Sequence, residues 1–213
     1  TVFSDACEED GPGGPASRAA GGCLGGSRKL GGMAVMPDGL VCRWCQELPD
    51  AFARALYGRK RKIIAYLEAL AVLVSLHTFA PVLENRRVTF LVDNSAALFA
   101  IHKGYSKDMG LRLIAQACRM CALERRIGLL LRYIPSRFNP ADALTRPELE
   151  ADLLAALQDF LGPRCVVVGM TPVWLCVERF VDLLGKLAPP PAPVVPGNSS
   201  SLGDDASSCV SGA

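Results

Sequence analysis

Two short stretches of the sequence run from strand-like residues directly into an acid. In Val88-Thr-Phe-Leu-Val-Asp93-Asn94, five residues suited to a buried β-strand meet Asp93, and a helical pattern starts at once. Thr1-Val-Phe-Ser-Asp5 repeats the arrangement at the N-terminus. Open α/β sheets place their ligands at the carboxyl ends of strands, so both acids are candidates to face a site. Asp, Asn and Ser are also ordinary helix-capping residues, an alternative that serves Asp93, Asn94 and Ser95 equally well. Glu68 is a third candidate, because it is the only charged side chain (Asp, Glu, Lys or Arg) between Lys62 and Glu84. Burying a lone carboxylate in such an apolar stretch costs several kcal/mol unless a cation compensates it. Its alternative is a place at the helix edge, reaching water or an Arg. The fourth acid, Asp142, lies in Asn139-Pro-Ala-Asp-Ala-Leu-Thr-Arg146, which reads as the start of a helix with Asn139 as N-cap and Pro140 at its first position.

The four acids gain meaning together. If the strands ending at Asp5 and Asp93 are neighbours and parallel, with Glu68 on the helix that crosses between them, four carboxylates from four elements converge at one end of a sheet. Such a cluster repels itself unless divalent ions fill it, and oxygen ligands without His or Cys select hard cations, Mg²⁺ or Mn²⁺. Two such ions roughly 3.5–4 Å apart stabilise the attacking and leaving oxygens of an in-line phosphoryl displacement.

The elements that must position these acids can be read along the chain. After the first strand, the run from Glu8 to Gly32 is dense in Gly and small residues and reads as a mobile inserted loop. Met33–Met36 and Leu40–Cys45 read as strands joined by the turn Pro37-Asp-Gly39, an antiparallel hairpin. The apolar helix around Glu68 then returns the chain to a strand parallel to the first. Helices over 94–103 and 109–126, a strand over 129–134 and the helix from Asn139 follow. The expected fold is α/β, a mixed five-stranded sheet flanked by helices. Residues 148–187 read as a helical extension, with helices at Leu149–Leu161 and Trp174–Leu187, and residues 188–213 as a disordered Pro/Ser/Gly tail.

Bulk properties narrow the function classes. With 213 residues, 50% hydrophobic and 21% charged, the chain can bury a real core and is not a disordered protein. Residues 1–150 carry 20 basic and 15 acidic side chains, a mild surplus that permits a polyanionic partner. The basic run Arg59-Lys-Arg-Lys62 is a solvated or targeting patch that also allows phosphate contact. Nine cysteines without a signal peptide fit an intracellular, reducing location, and a start at Thr suggests a fragment or processed product. Cys42-Arg-Trp-Cys45 and Cys118-Arg-Met-Cys121 have the spacing of zinc-knuckle halves but fall on a strand and a helix, so buried thiols without zinc are expected. Ile63–Leu83 is long enough to span a bilayer, yet contains Glu68, His77 and Pro81, and a core helix is the expected outcome.

The segments Phe3-Ser-Asp5-Ala, Leu67-Glu68-Ala, Leu91-Val-Asp93-Asn-Ser-Ala-Ala-Leu, His102-Lys-Gly and Tyr133-Ile-Pro-Ser-Arg-Phe-Asn-Pro-Ala-Asp142-Ala-Leu-Thr-Arg146 resemble the ribonuclease H domain of retroelement reverse transcriptases, most of all the DIRS-type and related LTR-retrotransposon branches. The likeness covers residues 1–147, and its most specific part is the stretch from Ile134 to Arg146. It implies a ribonuclease H-like fold with Asp5, Glu68, Asp93 and Asp142 as catalytic metal ligands for two Mg²⁺ ions (or Mn²⁺). It also implies cleavage of the RNA strand of an RNA/DNA hybrid, leaving 5′-phosphate and 3′-hydroxyl ends. The substrate contacts expected beside those acids are Asn94, Ser95, Arg137, Asn139 and Arg146. A larger polyprotein carrying the polymerase would be the natural setting. Two departures stand out: the loop after Asp5 is longer than the family usually carries, and the His that many relatives hold before the last acid is missing from Ser136–Asn139. An inactive nucleic-acid-binding or scaffolding domain of the same fold, and a DNA-directed nuclease of the same superfamily, are the alternatives.

Overall fold

The computed structural model describes residues 1–8, 28–48 and 63–173. Strands β1 (Val2–Glu8), β2 (Arg28–Val35) and β3 (Leu40–Glu47) form an antiparallel meander. Helices α1 (Ile64–Thr78) and α2 (Ala80–Leu83) carry the chain over to β4 (Arg87–Val92), which pairs parallel to β1. Helices α3 (Ser95–Lys103) and α4 (Met109–Glu124) lead to β5 (Gly128–Tyr133), parallel to β4. A short helix α5 (Asp142–Thr145), the longer α6 (Pro147–Leu161) and strand β6 (Val166–Gly169) complete the described chain. The sheet order is β5-β4-β1-β2-β3-β6. This is the α/β class read from the sequence, a mixed sheet flanked by helices.

The turn between β2 and β3 follows from its residues. Gly39 adopts φ +89°, a left-handed conformation that Gly enters without a Cβ penalty, and Asp38 Oδ1 accepts the Leu40 N–H at 3.2 Å. Helix α1 is apolar all round and consequently buried all round, from Leu67 to Leu76. It lies between β1 and β2 on one side and α4 on the other. The apolar stretch 63–83 is therefore a core element, and among the described residues no helix is long and apolar enough to cross a membrane. On the opposite sheet face, Met33, Val41 and Leu144 form a second apolar cluster with Leu153, Leu157 and Leu161 of α6.

The structure corrects the sequence reading in four places. Strand β1 does not end on Asp5 but runs to Glu8, and β2 starts at Arg28, so Asp5 sits opposite Gly31 within a continuous ladder. Gly31 and Gly32, read as loop residues, are packing positions: a Cβ on Gly32 would lie 2.3 Å from Ser75 Oγ and 2.5 Å from Trp44 Nε1. The helix after β5 begins at Asp142, with Ala141 at the N-cap position, so Asn139 does not cap it. The extension beyond residue 147 is not wholly helical. Its β-branched run Val166-Val-Val adds a sixth strand, parallel to β3, where five strands were expected. Residues 9–27 of the expected loop, the basic run 59–62, the expected helix 174–187 and the tail 188–213 lie outside the described residues.

Gly32→Ala is expected to lower stability by about 1–3 kcal/mol, because the new methyl must displace the buried Trp44 Nε1–Ser75 Oγ hydrogen bond of 3.1 Å. Urea unfolding measures this directly, and a variant as stable as the parent would show that β2 and α1 can move apart.

Candidate metal centre

The β1–β4 ladder is short, and that shortness shapes the site. Its pairs are Val2 with Phe90 and Phe3 with Leu91. Continued by two residues, this register sets Asp5 level with Asp93, just past the end of β4. Glu68, on α1, reaches the same point, and its Oε1 accepts the Ala6 N–H at 3.2 Å. Asp5, Glu68 and Asp93 each bring a carboxylate oxygen within 4.8 Å of the others. Asp5 and Glu68 are buried, each 3% exposed. The convergence expected of these three acids is therefore present.

Their environment is one that carboxylates alone do not favour. Burial, followed by the charges of Asp93 and Asp5, pushes the Glu68 carboxyl well above the usual carboxylate range. Burial likewise raises Asp5 to about 7, against the opposing hydrogen bond from Thr145. Glu68 Oε2 and Asp93 Oδ1 are buried without a hydrogen-bond partner. Among the described residues, no Lys or Arg forms an ion pair with any of the three. Unpartnered buried oxygens and mutual repulsion are what a divalent cation relieves, and an all-oxygen donor set suits Mg²⁺ or Mn²⁺. The residues fit such an ion.

Asp142 stands apart from the trio. Its Oδ1 accepts from Arg146 Nε at 3.1 Å, although its charge is still felt at Asp5. The other candidates divide clearly. Asn94 caps α3, its side chain accepting the Ala97 N–H at 3.1 Å. Ser95 is exposed and, with Asp93, Asn94, Leu98, Phe99 and Tyr133, lines an open hollow of about 500 Å³ beside the acids. Arg137 is exposed, its guanidinium over the Phe138 ring, and Arg146 is exposed beside Asp142. Asn139 is buried at 4% exposure and turns inward: Nδ2 donates to Ser4 O at 2.9 Å and lies 3.4 Å from Asp5 Oδ1, while its Oδ1 accepts the Ala141 N–H at 3.2 Å.

The sequence reading missed Thr145, whose Oγ1 donates to Asp5 Oδ2 at 2.9 Å across 140 residues of chain. A hydroxyl three positions after Asp142 was the only available signal. Phe99 and Tyr133, large and exposed beside Asp93, were also missed, since aromatic residues in helix and strand patterns read as core. Cys42 and Cys45 lie on β3 and Cys118 and Cys121 on α4, the elements foreseen for them.

No protein-family model matches the chain, and no curated protein matches it. Among solved structures it is similar to ribonuclease H1 from the halophilic archaeon Halobacterium salinarum NRC-1, with 16% identity and a TM-score of 0.49 over 71% of this chain and 96% of that one. It is also similar to the N-terminal ribonuclease H domain of a Mycobacterium tuberculosis protein, solved as a fusion with maltose-binding protein. There the identity is 14% and the TM-score 0.43, over 73% of this chain and 97% of that one.

Proposed function

We propose that the chain is a divalent-cation-dependent ribonuclease that hydrolyses the RNA strand of RNA/DNA hybrids, acting as the ribonuclease H part of a retroelement reverse transcriptase. The observation that carries this reading is the cluster of Asp5, Glu68 and Asp93, with two buried oxygens left unpartnered. In the proposal these three hold two cations together with Asp142. Bound there, Mg²⁺ or Mn²⁺ would supply charge stabilisation for the attacking and leaving oxygens of phosphodiester hydrolysis.

The protein groups around the centre have separate tasks. Asn94 fixes the start of α3 and so the backbone that follows Asp93. Ser95, free at the mouth of the hollow, offers a hydroxyl to a 2′-OH, the group that distinguishes RNA from DNA. In the proposal the exposed Arg137 and Arg146 would meet the phosphates. Residues 1–147 would form the nuclease unit, inside a larger polyprotein that also contains the polymerase.

One observation favours the inactive reading: Asp142 is engaged by Arg146 rather than gathered with the other three acids. Incubation with labelled RNA/DNA hybrid, double-stranded RNA and double-stranded DNA, each with Mg²⁺ or EDTA, separates the readings. Mg²⁺-dependent cutting confined to the RNA of the hybrid is expected, with 5′-phosphate products. Cutting of duplex DNA would replace the proposal with a DNA-directed nuclease, and binding without cutting would make the chain a scaffold.

A further inference from the structure

Resting on the reading of Asp5 as a cation ligand, we infer that Thr145 and Asn139 are positioning residues that set the orientation of the Asp5 carboxylate. Both come from the segment between β5 and α6, and both reach back to β1. Thr145 Oγ1 donates to Asp5 Oδ2 at 2.9 Å, and Asn139 Nδ2 approaches Asp5 Oδ1 at 3.4 Å while holding the neighbouring Ser4 carbonyl at 2.9 Å. The two carboxylate oxygens are thus addressed by two different side chains, which fixes rotation about both the χ1 and χ2 bonds of Asp5.

The holders are themselves fixed. Thr145 and Asn139 are buried at 0% and 4% exposure. Asn139 Oδ1 accepts the Ala141 N–H, and the Thr145 hydroxyl, with one proton to donate, lies 2.9 Å from Asp5 Oδ2 and 3.0 Å from the Asp142 carbonyl. Gly31 makes the close seating feasible. A Cβ there, on β2, would lie 3.2 Å from Thr145 Cγ2 and 3.3 Å from Leu144 Cβ, so α5 would have to give way against β2. Side chains that orient a metal-ligating carboxylate matter to affinity nearly as much as the ligand itself, and their loss typically weakens binding about 10- to 100-fold.

The test follows the thermal stability of the whole chain as Mg²⁺ is titrated, alongside hybrid cleavage. Thr145→Val keeps shape but removes the donor, and it is expected to fold in EDTA while its Mg²⁺ midpoint rises by about tenfold or more. Thr145→Ser returns the hydroxyl and is expected to recover most of the wild-type midpoint. Gly31→Ala, which leaves the donor in place but presses on α5, is expected to shift the midpoint in the same direction. Should Thr145→Val not fold, Thr145→Ala against Thr145→Ser gives the same comparison. A wild type whose stability does not respond to Mg²⁺ removes the cation centre and this inference with it. A responsive wild type with an unchanged midpoint in folded Thr145→Val overturns the positioning role alone. So does a Thr145→Ser protein as weak as Thr145→Val, since returning the hydroxyl would then not return the binding.

Discussion

Asp93→Asn is expected to reduce RNA-strand cleavage by orders of magnitude while leaving the metal-free fold intact. Asn keeps the shape of Asp but removes the charge needed beside Asp5 and Glu68 to retain divalent ions. The loss of transition-state electrostatics, not of structure, then sets the size of the effect. In the metal-free protein the same substitution removes a charge that disfavours ionised Glu68, so stability should hold or rise. Mg²⁺ should stabilise the wild type by mass action, by about 2.7 kcal/mol at a hundred times its dissociation constant, and the variant much less. The capping alternative has lost its footing at this residue, because Asn94 caps α3. A folded Asp93→Asn protein that cuts the hybrid at near the parental rate would end the proposal.

Asp93 also shows how far the sequence could be read. Its strand was legible because Val88–Val92 is a mostly β-branched and aromatic run, bounded by polar residues on both sides. Glu68 was legible because a lone acid within an apolar helix needs either a cation or a place at the helix edge, and the structure buries it. Their meeting with Asp5 needed only the parallel β1–β4 pairing, which the crossover dictates. What stayed hidden depends on close approach. Gly31 and Gly32 look identical to loop glycines until α5 and Trp44 are placed against them. The inward turn of Asn139 and the bond from Thr145 to Asp5 join residues more than 130 positions apart in the sequence, and no local pattern encodes them. Strand β6 escaped because four residues are too few for a periodic signal beside an amphipathic helix.

Glu68→Gln is expected to abolish cleavage and, without metal, to make the protein more stable than the wild type at neutral and alkaline pH. Gln can still accept the Ala6 N–H through Oε1, and its amide offers a donor where Glu68 Oε2 has no partner. The charge whose burial is unfavourable is gone, so a gain on the order of a few kcal/mol is expected. The sign of the pH dependence follows from raised carboxyls. Well below pH 3.8 the folded and unfolded chains both bind these protons, and no penalty exists. As pH rises past the ordinary values of 3.8 and 4.5, the unfolded chain releases protons that folded Asp5 and Glu68 retain, and metal-free stability falls. For Asp5 the loss is complete near pH 7, where its folded carboxyl ionises. The difference between wild type and Glu68→Gln, measured by urea unfolding in EDTA from pH 4 to 9, cancels the titration of distant groups and reports Glu68 together with its coupling to Asp5 and Asp93. It should widen as pH rises. In saturating Mg²⁺ the order should invert, because ligands must lose their protons to bind and the wild type alone keeps all of them. A difference that is flat with pH in EDTA, or that favours the wild type without metal, would mean that Glu68 is satisfied by the protein and has no need of a cation.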